Sequence, residues 1–517
     1  MRPELFKSLK GYKKTDLIND LMAGLMVAII ALPLSIALGL QSGVTLQVGI
    51  MTAIVAGFFI SLLGGSRYQI GGPTAAFVVI ILGYLQNPQI GITGLALATI
   101  AAGAILIVLG FLKAGSLIRY IPYPIVIGFT TGIGITLMTG QVKDLLGLTL
   151  PADTGSEFLH KVIAYAENIG TTNFYTLIIG AVTIGLIYAL PKVSKKIPAS
   201  FAAILVATLL TLVFDLITHG SSGIATIEST YGNVKAEFKL IDLSGIDSIH
   251  IPSLILPAIV IAFLCAIESL LSATVADGMT GSTHSSNQEL IGQGAANIFS
   301  ALLGGLPATG AIARTAAGIN NGAKSPLTGI FHALFLLVMY VVLMPVVKFI
   351  PLTGLAAILI TVSIKMANFP VFLRLASFGI RDGIVLIVTC LLTVFFDLTY
   401  GVIGGFALCV LINIQNIVRP AKIVKEEADE KTVTMHVEGR VYFISVCRLI
   451  SVIEKRAAEY NHIVLDLAAV SRIDVTSAER LSKLDSQLNR AGKNLALVNA
   501  GSAIHTRYHR FIKEIFH

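Results

Sequence analysis

Hydrophobic runs separated by short polar breaks occupy the chain from about residue 20 to residue 418. They lie near 20–41, 46–64, 73–85, 93–112, 119–139, 174–190 and 199–217. After a polar stretch at 218–250, a second set follows near 253–275, 290–304, 309–319, 325–347, 351–366, 383–399 and 400–418. A straight helix needs roughly 20 apolar residues to cross a bilayer. The spacing therefore predicts fourteen membrane segments, seven in each half, with 73–85 and 309–319 spanning only part of the depth. An odd number of spans per half forces the second half to be inverted relative to the first.

The two short segments open alike. SRYQIGGPTAAFVVI (66–80) and LLGGLPATGAIARTAAGI (302–319) both pass through Gly, Pro, Thr and Ala. Pro73, Thr74 and Ala75-Ala76-Phe77 stand where Pro307, Thr309 and Ala311-Ile312-Ala313 stand in the second half. Pro122 before the fifth run likewise matches Pro351 before the twelfth. Unwound backbone is tolerated at membrane depth only where it lines a polar cavity. A half-helix starting there directs its positive dipole end and its unpaired N–H groups at an anion. Interrupted segments in matching places of both halves point to a transporter binding site near the midplane. Close helix packing also selects Gly and Ala, but it does not require the interruption to recur at matched positions.

Composition agrees with a membrane reading. Of 517 residues, 55% are hydrophobic and 13% charged, against about a quarter charged in a soluble domain. Charges are sparse until about residue 419 and frequent after it. Cys265, Cys390, Cys409 and Cys447 are scattered, which suggests neither a disulfide framework nor a metal site. The start, MRPELFKSLKGYKKTD, is basic and amphiphilic, and the run after it is long enough to span, so no cleavable signal peptide is expected. Arg2, Lys7, Lys10, Lys13 and Lys14 place the N-terminus in the cytoplasm. Alternation then puts Arg67, Lys113, Arg119, Lys192, Lys195 and Lys196 inside, and likewise Lys365, Arg374, Arg381, Arg419, Lys422 and Lys425. The 218–250 stretch falls outside with Lys143, Lys161 and Lys348, and fourteen crossings survive this test.

The tail is different in kind. After a basic Arg419–Lys425 and an acidic Glu426–Glu430, apolar and polar residues alternate in Val433–Val437 and Val441–Val446. A helical pattern follows at Arg448–Tyr460, then a buried-strand run at 462–470, a capped amphipathic helix at 473–492 and a strand at 494–500. This order predicts a small α/β domain with an open sheet. It carries no phosphate loop and no nucleophile–base spacing, so no catalytic residues are assigned.

GGSRYQIGGPTAA (64–76), AIESLLSATVADGMTGSTHSSNQELIGQGAANI (266–298) and ATGAIARTAAGI (308–319) together strongly resemble the SulP family of anion transporters. Its animal relatives include sulfate and bicarbonate exchangers and prestin. The tail resembles the STAS domain that follows the membrane domain in that family, so the resemblance spans essentially the whole chain. Residues 266–298 are closest in wording to bacterial members described as C4-dicarboxylate transporters.

The resemblance implies an all-α polytopic membrane protein of 7+7 inverted repeats with a core and a gate, followed by a cytoplasmic α/β STAS domain. On it the chain divides into a cytoplasmic segment 1–18, a transporter domain 19–418 (repeats at about 19–217 and 253–418), a linker 419–430 and the STAS domain 431–517. The anion is expected between half-helices three and ten, with Thr74, Ala75, Ala76 and Phe77 facing Thr309, Gly310, Ala311, Ile312 and Ala313. Arg314 would supply positive field there; its alternative role is a structural ion pair with Glu268. Glu268 interrupts an apolar span, and a carboxyl at that depth is a candidate proton carrier. Sodium-using members tend to show Asp with Thr four residues on. This chain has Glu268 and Ser272, which favours a proton and leaves sodium as the alternative.

Helix one departs from the family too: Leu34 follows Pro33 where many members carry Gln or Glu, with Ser35 or the backbone as substitutes. Asp277, His284, Asn287 and Glu289 are expected to cap and brace a cytoplasmic turn. Asp474 reads as a helix N-cap, and Thr476 matches the hydroxyl that is phosphorylated in soluble STAS relatives. The expected function is secondary active transport of a small anion (sulfate, bicarbonate or C4-dicarboxylate) by proton symport through alternating access. Sodium-coupled bicarbonate symport, exchange and a channel are the alternatives. No metal or other cofactor is expected beyond the coupling ion. The expected setting is a homodimer in the inner (cytoplasmic) membrane with both termini cytoplasmic, a cytoplasmic protein partner for the STAS domain, and no nucleic acid.

Overall fold

The computed structural model describes residues 2–115, 122–151, 157–194, 197–232, 234–238, 240–241, 251–396, 398–418, 420–429, 431–499 and 501. Arg119, Lys195, Lys196, Arg419, Glu430 and residues 242–250 of the polar stretch, invoked above, lie outside the described residues. In chain order the membrane helices are α1 (Lys14–Gln41), α2 (Leu46–Leu63), α3 (Ala75–Gln86), α4 (Gly91–Phe111), α5 (Tyr123–Leu146), α6 (Phe174–Val193) and α7 (Ala199–Ile217). The second half repeats the series as α8 (Ile255–Thr280), α9 (Ser286–Leu302), α10 (Ile312–Asn320), α11 (Leu327–Val347), α12 (Leu352–Ala367), α13 (Ile380–Phe395) and α14 (Leu398–Val418). Two-residue strands β1 (Gly71–Gly72) and β2 (Thr309–Gly310) precede α3 and α10. Among the described residues nine helices are long and apolar enough to cross a membrane. The remaining five include α3, of 12 residues, and α10, of 9, the two half-spanning elements that the sequence predicts.

Two compact units divide the chain. The first runs to residue 116 and from Ile133 to Met366. Its apolar core draws on α1, α2, α3, α7, α11 and α12, among others, with Ile36, Ile50, Leu336 and Tyr340 fully buried. Helices α4 and α9 approach so closely that a Cβ on Gly103 would lie 2.6 Å from Gly294 O, and one on Gly294 2.4 Å from Gly103 O. Two carboxylates pin the ends of this bundle. Buried Asp20 accepts from the Lys324 and Ser325 N–H groups at 2.6 and 3.1 Å, and from the Ser325 and Thr328 hydroxyls at 2.6 and 2.7 Å. Buried Glu289 accepts from Gly65 N, Ser66 N, Gln69 Nε2 and Gln293 Nε2 at 2.7–2.9 Å. Each carboxylate has its acceptor sites filled by neutral donors, the condition for burying a charge without a counter-ion.

The second unit holds residues 117–132 and 367 onward. A helix at Phe369–Phe378 that the sequence reading did not separate precedes α13. After α14 comes a four-stranded sheet in the order β3 (Lys422–Ala428), β4 (Thr432–Val441), β5 (His462–Ile473), β6 (Asn494–Val498). The β3–β4 pair is antiparallel and the others parallel, with Met435 opposite Leu465 and Leu465 opposite Leu497. Helices α15 (Ser445–Glu459) and α16 (Val475–Arg490) supply the crossovers and bury Leu449, Ile453, Ala478 and Leu481 on the sheet.

Two local expectations are corrected here. The stretch read as a linker is strand β3 from Lys422 to Ala428. It is an edge strand with Lys422, Lys425, Glu426 and Glu427 along it; such charges protect an open edge and erase the alternation that marks a strand. Val441–Val446 is not a second strand: β4 ends at Val441, Tyr442 N donates to Ser445 Oγ at 3.0 Å, and α15 starts at Ser445. Asp474 caps α16 as expected, its Oδ1 accepting from Ser477 N at 2.8 Å, while Oδ2 accepts from Phe443 N at 2.9 Å. Asp474→Ala should therefore cost the domain roughly 1 kcal/mol. Faster amide exchange along α16 and at Phe443 in the intact protein would check this.

Candidate functional site

Proline decides where the site forms. Pro73 and Pro307 lack an N–H and so stop the chain from extending a ladder. Between them β1 and β2 pair antiparallel for two residues, Gly71 with Gly310 and Gly72 with Thr309. Ala311 N donates to Ile70 O at 3.0 Å, and Ile70 N to Thr315 Oγ1 at 3.1 Å. Asn297 grips β2 from α9, donating to Ala308 O and accepting from Ala308 N, both at 2.9 Å. Non-helical backbone at membrane depth is thus satisfied from within the protein.

The two strands of this antiparallel ladder lead into the two half-helices, β1 into α3 and β2 into α10. Thr74 and Ala311 are their N-caps, both extended, and neither helix receives a side-chain cap. The first-turn amides at Ala75 and Ala76, and at Ile312 and Ala313, therefore carry the positive ends of two helix dipoles. Ile312 and Ala313 are exposed, Thr74 is half-buried, and Ala75, Ala76 and Phe77 are buried. Small side chains keep those amides approachable by an oxyanion.

The charged groups lie beside the ladder. Arg314 is 1% exposed. Its Nη1 donates to Gly71 O at 3.0 Å and its Nη2 to Ser35 Oγ at 3.1 Å. Ser35, after the Pro33-Leu34 departure in α1, donates in turn to Ala31 O at 2.7 Å. Glu268 of α8 is half-buried, and its Oε2 accepts from the Thr74 hydroxyl at 2.8 Å. The Arg314–Glu268 ion pair weighed above is therefore absent: the arginine is satisfied by the Gly71 carbonyl and Ser35, and the glutamate by the N-cap of α3. Ser272 does not bond Glu268 either; its hydroxyl donates to Thr315 Oγ1 at 3.4 Å. The Thr309 hydroxyl faces α8, bonding Ser269 Oγ at 2.6 Å and donating to Cys265 O at 3.1 Å. Gly310 contributes backbone, its N–H donating to Ser269 Oγ at 3.2 Å.

Gly72 makes the arrangement sensitive to a single methyl group. It has φ +154°, and a Cβ there would fall 1.5 Å from Arg314 Nη1. Gly72→Ala should expel the guanidinium from Gly71 O and also strain β1, because φ +154° lies in a region that only glycine adopts readily. We expect transport to fall at least as far as in an Arg314 substitution, with a lower thermal midpoint in detergent reporting the added backbone strain.

The residues of the turn between α8 and α9 perform the bracing expected of them. Asp277 Oδ2 bonds His284 Nδ1 at 2.6 Å, His284 Nε2 bonds Ser286 Oγ at 3.0 Å, and Asn287 Oδ1 accepts from Gly115 N at 3.0 Å. In the second unit Thr476 is 2% exposed, and its hydroxyl accepts from Tyr123 N at 3.0 Å. Ser269 and Asn297, which hold β2, were not singled out from sequence; only their place in the 266–298 motif marked them.

Two halves of seven helices, each broken at a short helix beside a shared two-residue ladder, are the architecture of a multi-pass membrane protein. Residues 17–389 match the sulfate permease family and residues 422–514 the STAS domain. The chain belongs to the sulfate permease family, a class of anion transporters. It is 34% identical over 502 residues, 95% of this chain and 93% of the other, to YvdB of Bacillus subtilis, which carries the name of a sulfate transporter. It is 30% identical over 417 residues to the bicarbonate transporter BicA of Picosynechococcus, 78% of this chain and 70% of that one. The solved transmembrane domain of a cyanobacterial BicA superposes with TM-score 0.66 at 27% identity, covering 77% of this chain and 98% of that one. The overall structure of SLC26A9 superposes with TM-score 0.69 at 20% identity over 98% of this chain and 88% of that one, a likeness of fold.

Proposed function

We propose that this protein is a proton-coupled symporter of a small anion, working by alternating access as a homodimer in the cytoplasmic membrane with both termini cytoplasmic. The bound anion sits between the N-termini of α3 and α10, contacted by Thr74–Phe77 and by Ile312 and Ala313, and held in the field of Arg314. Thr309, Gly310 and Ala311 commit their polar groups to Ser269, Cys265 and Ile70 and shape the site from behind. The observation that supports this best is the bond from the Thr74 hydroxyl to Glu268 at the mouth of α3. An ionised carboxylate there competes with an incoming anion for the same dipole end and repels it. A protonated Glu268 does neither, so anion and proton favour the same loaded state. Sulfate, bicarbonate and C4-dicarboxylates are the substrate classes, on the strength of the named relatives and the wording of 266–298.

The test is uptake of radiolabelled sulfate, bicarbonate, fumarate and succinate into proteoliposomes, under imposed proton or sodium gradients. Saturable uptake that rises as external pH falls supports the reading. Uptake that follows sodium and ignores pH replaces it with sodium coupling near Glu268 and Ser272. Large conductance would indicate a channel, and the absence of flux a scaffold.

A further inference from the structure

Behind Arg314 lies a second ionisable side chain for which the proton reading has no task. His332 of α11 is fully buried, and neither of its ring nitrogens hydrogen-bonds to any protein group. Arg314 Nε is likewise without a partner. The imidazole lies against α2 where Gly57 leaves room for it: a Cβ on Gly57 would stand 3.1 Å from His332 Cδ2 and 3.5 Å from both His332 Nε2 and Gly71 O. That carbonyl is the one to which Arg314 Nη1 donates. Gly57 is thus flanked on one side by the ring and on the other by the carbonyl that holds the arginine.

The charges facing His332 can be assigned element by element. Helix α2 (Leu46–Leu63) contains no titratable residue. Helix α1 brings Asp20, already occupied one helical turn away by the Thr328 hydroxyl at 2.7 Å. Helix α11 itself adds Tyr340, whose hydroxyl is bonded to Glu237 O at 2.7 Å. Helix α10 brings Arg314, the charge that acts on the ring.

We propose that His332 is a second proton-binding group of the transport cycle, loaded when the anion is divalent. The proposal rests on the symport reading above. With the site empty, Arg314 and ionised Glu268 cancel. A dianion adds two negative charges; one proton on the Glu268 carboxylate and one on a free ring nitrogen of His332 restore neutrality. Without the anion, a proton on His332 sets two cations side by side in a dry core, which is unfavourable. Anion and proton therefore raise each other's affinity, as linkage requires. Both protons leave with the anion on the far side, and the neutral empty core returns. A monoanion needs the Glu268 proton only.

The experiment measures the proton-to-anion ratio from flux-reversal points in proteoliposomes, using sulfate, fumarate and succinate with bicarbonate as the monovalent comparison. We expect about two protons per dianion in the wild type and about one in His332→Gln, whose dianion uptake becomes sensitive to membrane potential. A wild-type ratio of one overturns the assignment whether or not the variant folds. An unchanged ratio in folded His332→Gln also overturns it while leaving Glu268 coupling intact, as does uptake of bicarbonate alone. Transport without proton movement, or no transport of any of the four, removes the symport reading and this inference with it.

Discussion

Arg314→Ala is expected to leave a folded protein in the membrane that binds its anion about 10- to 100-fold more weakly, the effect of losing roughly 1.5–3 kcal/mol of charge-assisted interaction. The side chain is buried and ties β1 to α1 through Gly71 O and Ser35 Oγ. Its removal deletes the positive charge nearest the ladder and loosens the strand from which α3 departs. These two contributions separate in Arg314→Lys, which keeps the charge but cannot bridge two acceptors with a planar fork. Partial recovery of affinity in the lysine variant assigns most of the effect to field; no recovery assigns it to the geometry of β1. Wild-type apparent affinity in Arg314→Ala, measured by uptake and by equilibrium binding on the same preparation, would remove Arg314 from the site. Thr74→Val should lower affinity less, because the amides at Ala75 and Ala76 remain. Thr309→Val should act through packing against Ser269 rather than on the anion, since its hydroxyl faces α8.

What the sequence discloses and what it withholds follow a physical division. Backbone events were legible: Pro73 and Pro307 each forbid a ladder or helix at a fixed position, and the shortness of 73–85 and 309–319 follows from counting. Asp474 as an N-cap and the buried strand at 462–470 were legible for the same reason, because the cause lies within a few residues of the effect. Side-chain partners were not. Arg314 and Glu268 were the two conspicuous intramembrane charges, and pairing them is the natural inference. A carbonyl freed by the two-residue ladder satisfies the arginine instead, and carbonyls leave no trace in a sequence. Strand β3 was hidden by its position at an edge, where charge replaces alternation. His332 was hidden by its setting in α11, an apolar run in which one histidine gives no sign of whether its ring nitrogens have partners.

Glu268→Gln is the substitution expected to separate binding from work. Glutamine keeps the shape of a protonated glutamate and can still accept the Thr74 hydroxyl, so the mouth of α3 stays intact. It cannot release a proton, and the empty core is then left with the uncompensated charge of Arg314. Return of the empty carrier becomes the forbidden step, whereas return with an anion bound remains open. The variant should therefore bind anion and exchange it across the membrane at near wild-type rates, with the pH dependence of binding flattened for a monoanion and reduced to the one proton of His332 for a dianion. Net accumulation driven by an inward proton gradient should disappear. Counterflow of labelled anion against an unlabelled internal pool measures the first property, and concentrative uptake into empty vesicles the second. The wild type should do both, with uptake rising as external pH falls, because acid on the outer side loads Glu268 where the anion enters. If Glu268→Gln still accumulates anion in response to protons, the coupling group lies elsewhere in the core. If it loses exchange as well, the carboxylate supports the structure of the site rather than its coupling.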